Sequence, residues 1–150
     1  MVLLRRTTGL AHRPLFRLQI SPDGRWLAFN PKIGPRKEPI FVAPYRPGTN
    51  PAESGWIKIT DGVGYDGRLL WAPSGNLLYF VSYRDGFQCI YAQRLEPSSK
   101  RPSGAPMAVM HFHSARRPLL DTWGVFAGRE QIVMSLRESR GSIWMTEFGR

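Results

Sequence analysis

The chain has a single cysteine, Cys89, in 150 residues. No internal disulfide can form, so the fold has to rest on packing. Cys89 opens the apolar run Cys89-Ile90-Tyr91, which suits a small buried hydrophobe better than a nucleophile. Acids are scarce: 11 Asp and Glu stand against 21 Lys and Arg, a formal charge of +10. Long apolar runs are missing too. The longest strongly apolar stretch, Leu77 to Val81, falls far short of a membrane span. At the start, Met1-Val2-Leu3-Leu4-Arg5-Arg6 places its charges after a very short apolar stretch, the reverse of a secretory leader. The chain as given would then be cytoplasmic, with the compartment of any longer protein left open. There is no Gly-x-Ser-x-Gly elbow and no phosphate-binding Gly-x-x-x-x-Gly-Lys-Ser/Thr. These absences argue against an enzyme and give no reason to expect a cofactor.

Hydrophobic residues make up 42% of the chain, too many for a disordered polymer. The 15 glycines and 13 prolines fall at fairly even intervals, and no segment has helical periodicity. Short alternating, aromatic-rich runs between turn signals predict strands.

The pattern also repeats. Ser21-Pro22-Asp23-Gly24-Arg25-Trp26-Leu27-Ala28-Phe29 returns as Ala72-Pro73-Ser74-Gly75-Asn76-Leu77-Leu78-Tyr79-Phe80. Each copy is a tight turn followed by a strand: Pro presets φ, Asp or Ser bonds the local backbone, and Gly accepts positive φ. Ile40-Phe41-Val42-Ala43, Ile90-Tyr91-Ala92-Gln93 and Ile143-Trp144-Met145-Thr146 form a second repeated element. The period of about 50 residues is near that of four-stranded propeller blades.

The expected architecture is all-β, with about three four-stranded antiparallel blades at roughly 10–60, 61–115 and 120–150. Unit one reads as strands at Leu15–Ile20, Arg25–Phe29, Pro39–Tyr45 and Trp56–Thr60. Unit two reads as Arg68–Trp71, Asn76–Tyr83, Gln88–Leu95 and Met107–Phe112, with an exposed loop from Glu96 to Pro106. Unit three reads as Thr122–Ala127, Gln131–Leu136 and Ser142–Phe148, without a fourth strand. Phe29, Phe41, Tyr79, Tyr91 and Trp144 occupy matching places and are expected to pack between blades.

The first turn and strand, together with Trp71-Ala72-Pro73-Ser74-Gly75 and the following Ser82-Tyr83-Arg84-Asp85-Gly86, resemble the WD40-like repeat of TolB-type β-propellers. The stretch from Arg94 to Arg117 resembles the last blades of propellers attached to bacterial signalling kinases and regulators. The resemblance covers most of the chain. It departs from the family pattern at Ala72 and Ser74, and in unit three, where the turn signature is lost. Such rings usually hold about six or seven blades, so three blades imply half of a six-bladed ring. Either the chain is a fragment of a larger bacterial protein, the favoured expectation, or a second copy closes the ring as a homodimer. Val2-Leu3-Leu4 is a candidate outer strand for an incomplete blade. The resemblance implies a non-catalytic interaction or sensing module with a protein partner.

In a blade, the turns between second and third strands share one face with the loops between blades. Lys32, Arg36, Lys37, Arg84, Arg116, Arg117, Arg137 and Arg140 are expected there, with Tyr83 and Phe87 as aromatic contacts. Arg13 joins them, and Glu38, Asp61, Asp66, Asp85, Asp121 and Glu138 are the acids of that face. The alternative partner is accordingly a polyanion or nucleic acid. The competing reading is that these arginines are solvated or pair locally, Arg84 with Asp85 in their own turn being the example. His111-Phe112-His113 places two imidazoles on one face of a strand. With no cysteine or third histidine nearby in sequence, and Asp121 the only close acid, no metal site is expected.

Overall fold

The structure, a computed structural model, describes residues 15–31, 33, 38–113, 119, 125–138, 140–141 and 144–146. The candidate strand at Val2-Leu3-Leu4 lies outside them. The described chain is all-β. Strands β1 (Leu15–Ile20), β2 (Trp26–Pro31), β3 (Phe41–Pro44) and β4 (Ile57–Lys58) form one four-stranded sheet in chain order. Strands β5 (Gly67–Trp71), β6 (Leu77–Ser82), β7 (Cys89–Leu95) and β8 (Pro102–Met110) form a second. Strands β9 (Val125–Ala127) and β10 (Ile132–Met134) form a two-stranded sheet, extended by a Leu119–Leu136 bridge. All strand pairs are antiparallel.

The repeated turns are built from the same bonds. Gly24 N–H donates to the Ser21 carbonyl at 2.9 Å, and Gly75 N–H to the Ala72 carbonyl at 2.8 Å. Both glycines are left-handed, with φ of 71° and 69°, where a Cβ would be strained. Asp23 accepts from the Ser21 hydroxyl and the Arg25 amide, and Ser74 accepts from the Asn76 amide. The first strands repeat as well. Each carries a bulge at an arginine of positive φ, Arg17 at 53° and Arg68 at 54°.

The sheets stack in order. Ala28, Ile40, Val42 and Ile59 of the first meet Leu69, Trp71, Leu78, Phe80, Cys89 and Tyr91 of the second in one buried cluster. Val81 and Ile90 of the second sheet bury Leu119 and Val125 on its other side, with Phe112, Ile132 and Met134 against them. The first strands β1, β5 and β9 are neighbours, as the innermost strands of adjacent blades are. The Trp71 indole donates to the Gln19 carbonyl at 3.1 Å across the first junction.

Two expectations need correction. The segment from Glu96 to Pro106 is a tight turn followed by an early strand. Glu96 N–H donates to the Arg101 carbonyl, and β8 begins at Pro102. Lys100 is only 4% exposed, because its ammonium donates to the Gly75 carbonyl at 2.8 Å and to Asn76 Oδ1 at 2.7 Å. The Gln93 amide holds the bulged start of β8 through the Ser103 and Gly104 carbonyls. In unit three, residues 144–146 belong to no strand, and Trp144 is 92% exposed. With no described strand paired beyond β10, Trp144 has no layer to enter, whereas Tyr91 is buried at the junction of the first two sheets and Phe29 and Phe41 pack with Trp56 within the first unit and not between sheets.

Candidate functional site

The loop end of the second sheet is organised around Arg84. Its Nη2 donates to Asp66 Oδ1 at 2.9 Å, and its Nε donates to the Ser82 hydroxyl at 3.2 Å. The guanidinium lies over the Phe80 and Tyr91 rings, 5.1 and 4.9 Å from their centroids. The Asp66 side chain is fully buried. The local partner read for Arg84, Asp85, is therefore corrected to Asp66, which the turn before β5 delivers from 18 residues away. Tyr83 N–H and the Ser82 hydroxyl both donate to the Gly64 carbonyl. The two segments approach so closely that a Cβ on Gly64 would lie 2.3 Å from Ser82 Oγ.

This packing leaves apolar side chains standing out. Val63, Tyr65, Tyr83 and Phe87 are 76%, 41%, 43% and 45% exposed. Tyr65 and Tyr83 meet edge to face, with centroids 6.4 Å apart.

Asp85, released from Arg84, turns to two histidines. His111 Nδ1 and His113 Nε2 lie 2.9 and 3.0 Å from Asp85 Oδ2, and 3.2 Å from each other. Antiparallel pairing of Ile90 with Met110 sets Cys89, at the head of β7, beside His111, just past the end of β8. The Phe112 amide donates to Cys89 Sγ at 3.3 Å. Phe112 itself points the other way, into the junction with the third sheet. Phe87 stacks on His113 with centroids 4.4 Å apart. Tyr91, two residues after Cys89 on the same face, hydrogen-bonds the Asp85 carboxylate.

The electrostatics follow from these contacts. Desolvation pushes the Asp85 carboxyl up, but hydrogen bonds from His113, the Phe87 amide, Tyr91 and His111 outweigh it and hold it well below the carboxylate range. Burial pushes the Cys89 thiol up; the Phe112 amide opposes this and Asp85 adds to it. Burial, then Asp85, raises the Tyr91 phenol to about 12. The expectation that no cysteine lies near His111 and His113, with Asp121 the only close acid, is thus corrected by Cys89 and Asp85. Their ring nitrogens, Cys89 Sγ and an Asp85 oxygen all lie within 4.8 Å of one another.

The other expected residues divide. Tyr83, Arg84 and Phe87 come together at this loop end. Arg137 and Arg140 are exposed beyond β10, where Arg140 pairs with Glu138 at 3.4 Å. Lys32, Arg36, Lys37, Arg116 and Arg117 lie outside the described residues. Among the described residues no helix is long and apolar enough to cross a membrane. No protein-family model matches the chain, and no curated protein matches it.

Proposed function

We propose that this chain is a non-catalytic recognition module made of TolB-type β-propeller blades, which holds a protein partner at the loop end of its second sheet. The observation that carries the reading is the exposed Val63, Tyr65, Tyr83 and Phe87 set over the rigid Arg84–Asp66 support. Tyrosine and phenylalanine give large contact area for little lost side-chain freedom, and they are enriched where protein surfaces meet. An apolar patch on firm backing suits a protein partner better than a polyanion. The polyanion alternative is weakened because the guanidinium of Arg84 is committed to Asp66 and to two aromatic faces.

The test compares two baits, the native chain and a Tyr65→Ala/Tyr83→Ala/Phe87→Ala variant of unchanged circular dichroism. A partner retained by the first and lost by the second supports the reading. Equal recovery on both baits, or retention that vanishes with modest salt and survives the triple substitution, overturns it.

A further inference from the structure

We propose that Asp85, Cys89, His111 and His113 form a closed, tetrahedral site for a borderline divalent transition metal, with zinc the best fit. The four donors come from two places. Asp85 sits in the turn between β6 and β7, and Cys89 opens β7. His111 and His113 follow β8 on one face of the extended chain. The β7–β8 register closes the gap between the two pairs.

The geometry of the three nearest donors points to an ion. Asp85 Oδ2, His111 Nδ1 and His113 Nε2 form a triangle with edges of 2.9, 3.0 and 3.2 Å. Hydrogen bonds alone do not satisfy such a triangle. If both nitrogens carry protons aimed at the carboxylate, two N–H groups face each other across the third edge. If one nitrogen gives its proton to the other, the acceptor nitrogen sets its lone pair against the carboxylate. Every tautomer leaves one edge with like facing like. A cation at the centre turns all three lone pairs to use. In a tetrahedron with bonds of about 2.1 Å, ligand atoms lie about 3.4 Å apart, within a few tenths of an ångström of the observed edges. The sulfur completes the set from within 4.8 Å.

Chemistry selects the metal. One thiolate, two imidazoles and one carboxylate are a zinc donor set, and magnesium and calcium prefer all-oxygen shells. Thiolate and carboxylate together balance a divalent charge. The outer contacts are those a bound metal uses: the Phe112 amide donates to the sulfur, and the Tyr91 hydroxyl bonds the carboxylate. Four protein donors leave no open position, so the site is structural. It fastens the outermost strand of the second sheet to the turn between β6 and β7.

The full chain, stripped with chelator and dialysed against zinc, is expected to retain one ion per molecule. Cobalt(II) in its place should give a thiolate charge-transfer band and the intense visible bands of tetrahedral coordination. Cys89→Ser should abolish the charge-transfer band. His113→Gln alters an exposed side chain, so folding should survive, and affinity should fall by more than about 100-fold. Tyr91→Phe should cost about tenfold, as loss of an outer partner does. Arg46→Ala, an exposed side chain that follows β3 in the first sheet, should bind as the native chain does. Failure to retain zinc, cobalt bound without a thiolate band, or undiminished binding by folded His113→Gln would each overturn the proposal.

Discussion

Replacing Arg84 by methionine removes the charge and the fork while keeping most of the stem. Asp66 is then left as a carboxylate with no exposure and no cation. Its Oδ2 already has no hydrogen-bond partner, so the bond from Arg84 to Oδ1 is what compensates the charge. Breaking a buried pair from one side costs about 3–5 kcal/mol, because the stranded charge stays desolvated. Arg84 is itself about a quarter exposed, at 23%, and solvent softens the pair, so the lower half of that range is expected. Asp66→Asn in the same chain removes the stranded charge and should recover about 2 kcal/mol of the loss. Urea unfolding of the native chain, both single variants and the double variant measures each corner of this cycle. Arg84→Met within about 1 kcal/mol of native, where surface pairs lie, would refute the reasoning. So would a double variant no more stable than Arg84→Met alone.

Lys100→Met should cost about 1–3 kcal/mol in the same assay, because the Gly75 carbonyl and Asn76 Oδ1 lose a shared donor. Asp23 governs an acid-side effect. Bonds from the Ser21 hydroxyl and the Arg25 amide lower its carboxyl from 3.8 to about 2. A depressed folded value means the stabilisation is complete above the unfolded value and drains as pH falls through about 2. The native chain should therefore lose its advantage over Asp23→Asn between pH 4 and pH 2, as followed by thermal melts; a constant gap across that window would contradict the assignment.

What the sequence makes legible is what its chemistry settles locally. Ser21-Pro22-Asp23-Gly24 announces its turn because every bond that closes it comes from neighbouring residues. The strands of the first two units follow from alternation, and β1, β5, β6 and β7 fall within a residue of expectation at either end. The early start of β8 is hidden by Pro102, Gly104 and Pro106, which read as a loop. An edge strand tolerates prolines whose missing N–H faces outward. The bulges at Arg17 and Arg68 are hidden because arginine carries no preference for positive φ. The quartet of Asp85, Cys89, His111 and His113 is hidden because its halves lie far apart in sequence. Only cross-strand register unites them, and laying Cys89 against the residue after β8 would have exposed the cluster. Arg84 shows the same limit: its true partner, Asp66, is distant in sequence, and the adjacent Asp85 is a decoy.

The stacking of the sheets also sets how the chain should come apart. Among the described residues the sheets meet at junctions that follow chain order, so cooperativity is passed from one junction to the next, as in a one-dimensional array. The second sheet takes part in both junctions and the two-stranded third sheet in one. Hydrogen exchange should therefore be graded along the chain, slowest at Leu78, Phe80 and Ile90 and fastest at β9 and β10. A lesion in the middle sheet would uncouple both of its neighbours, whereas one in β10 would fray a single end.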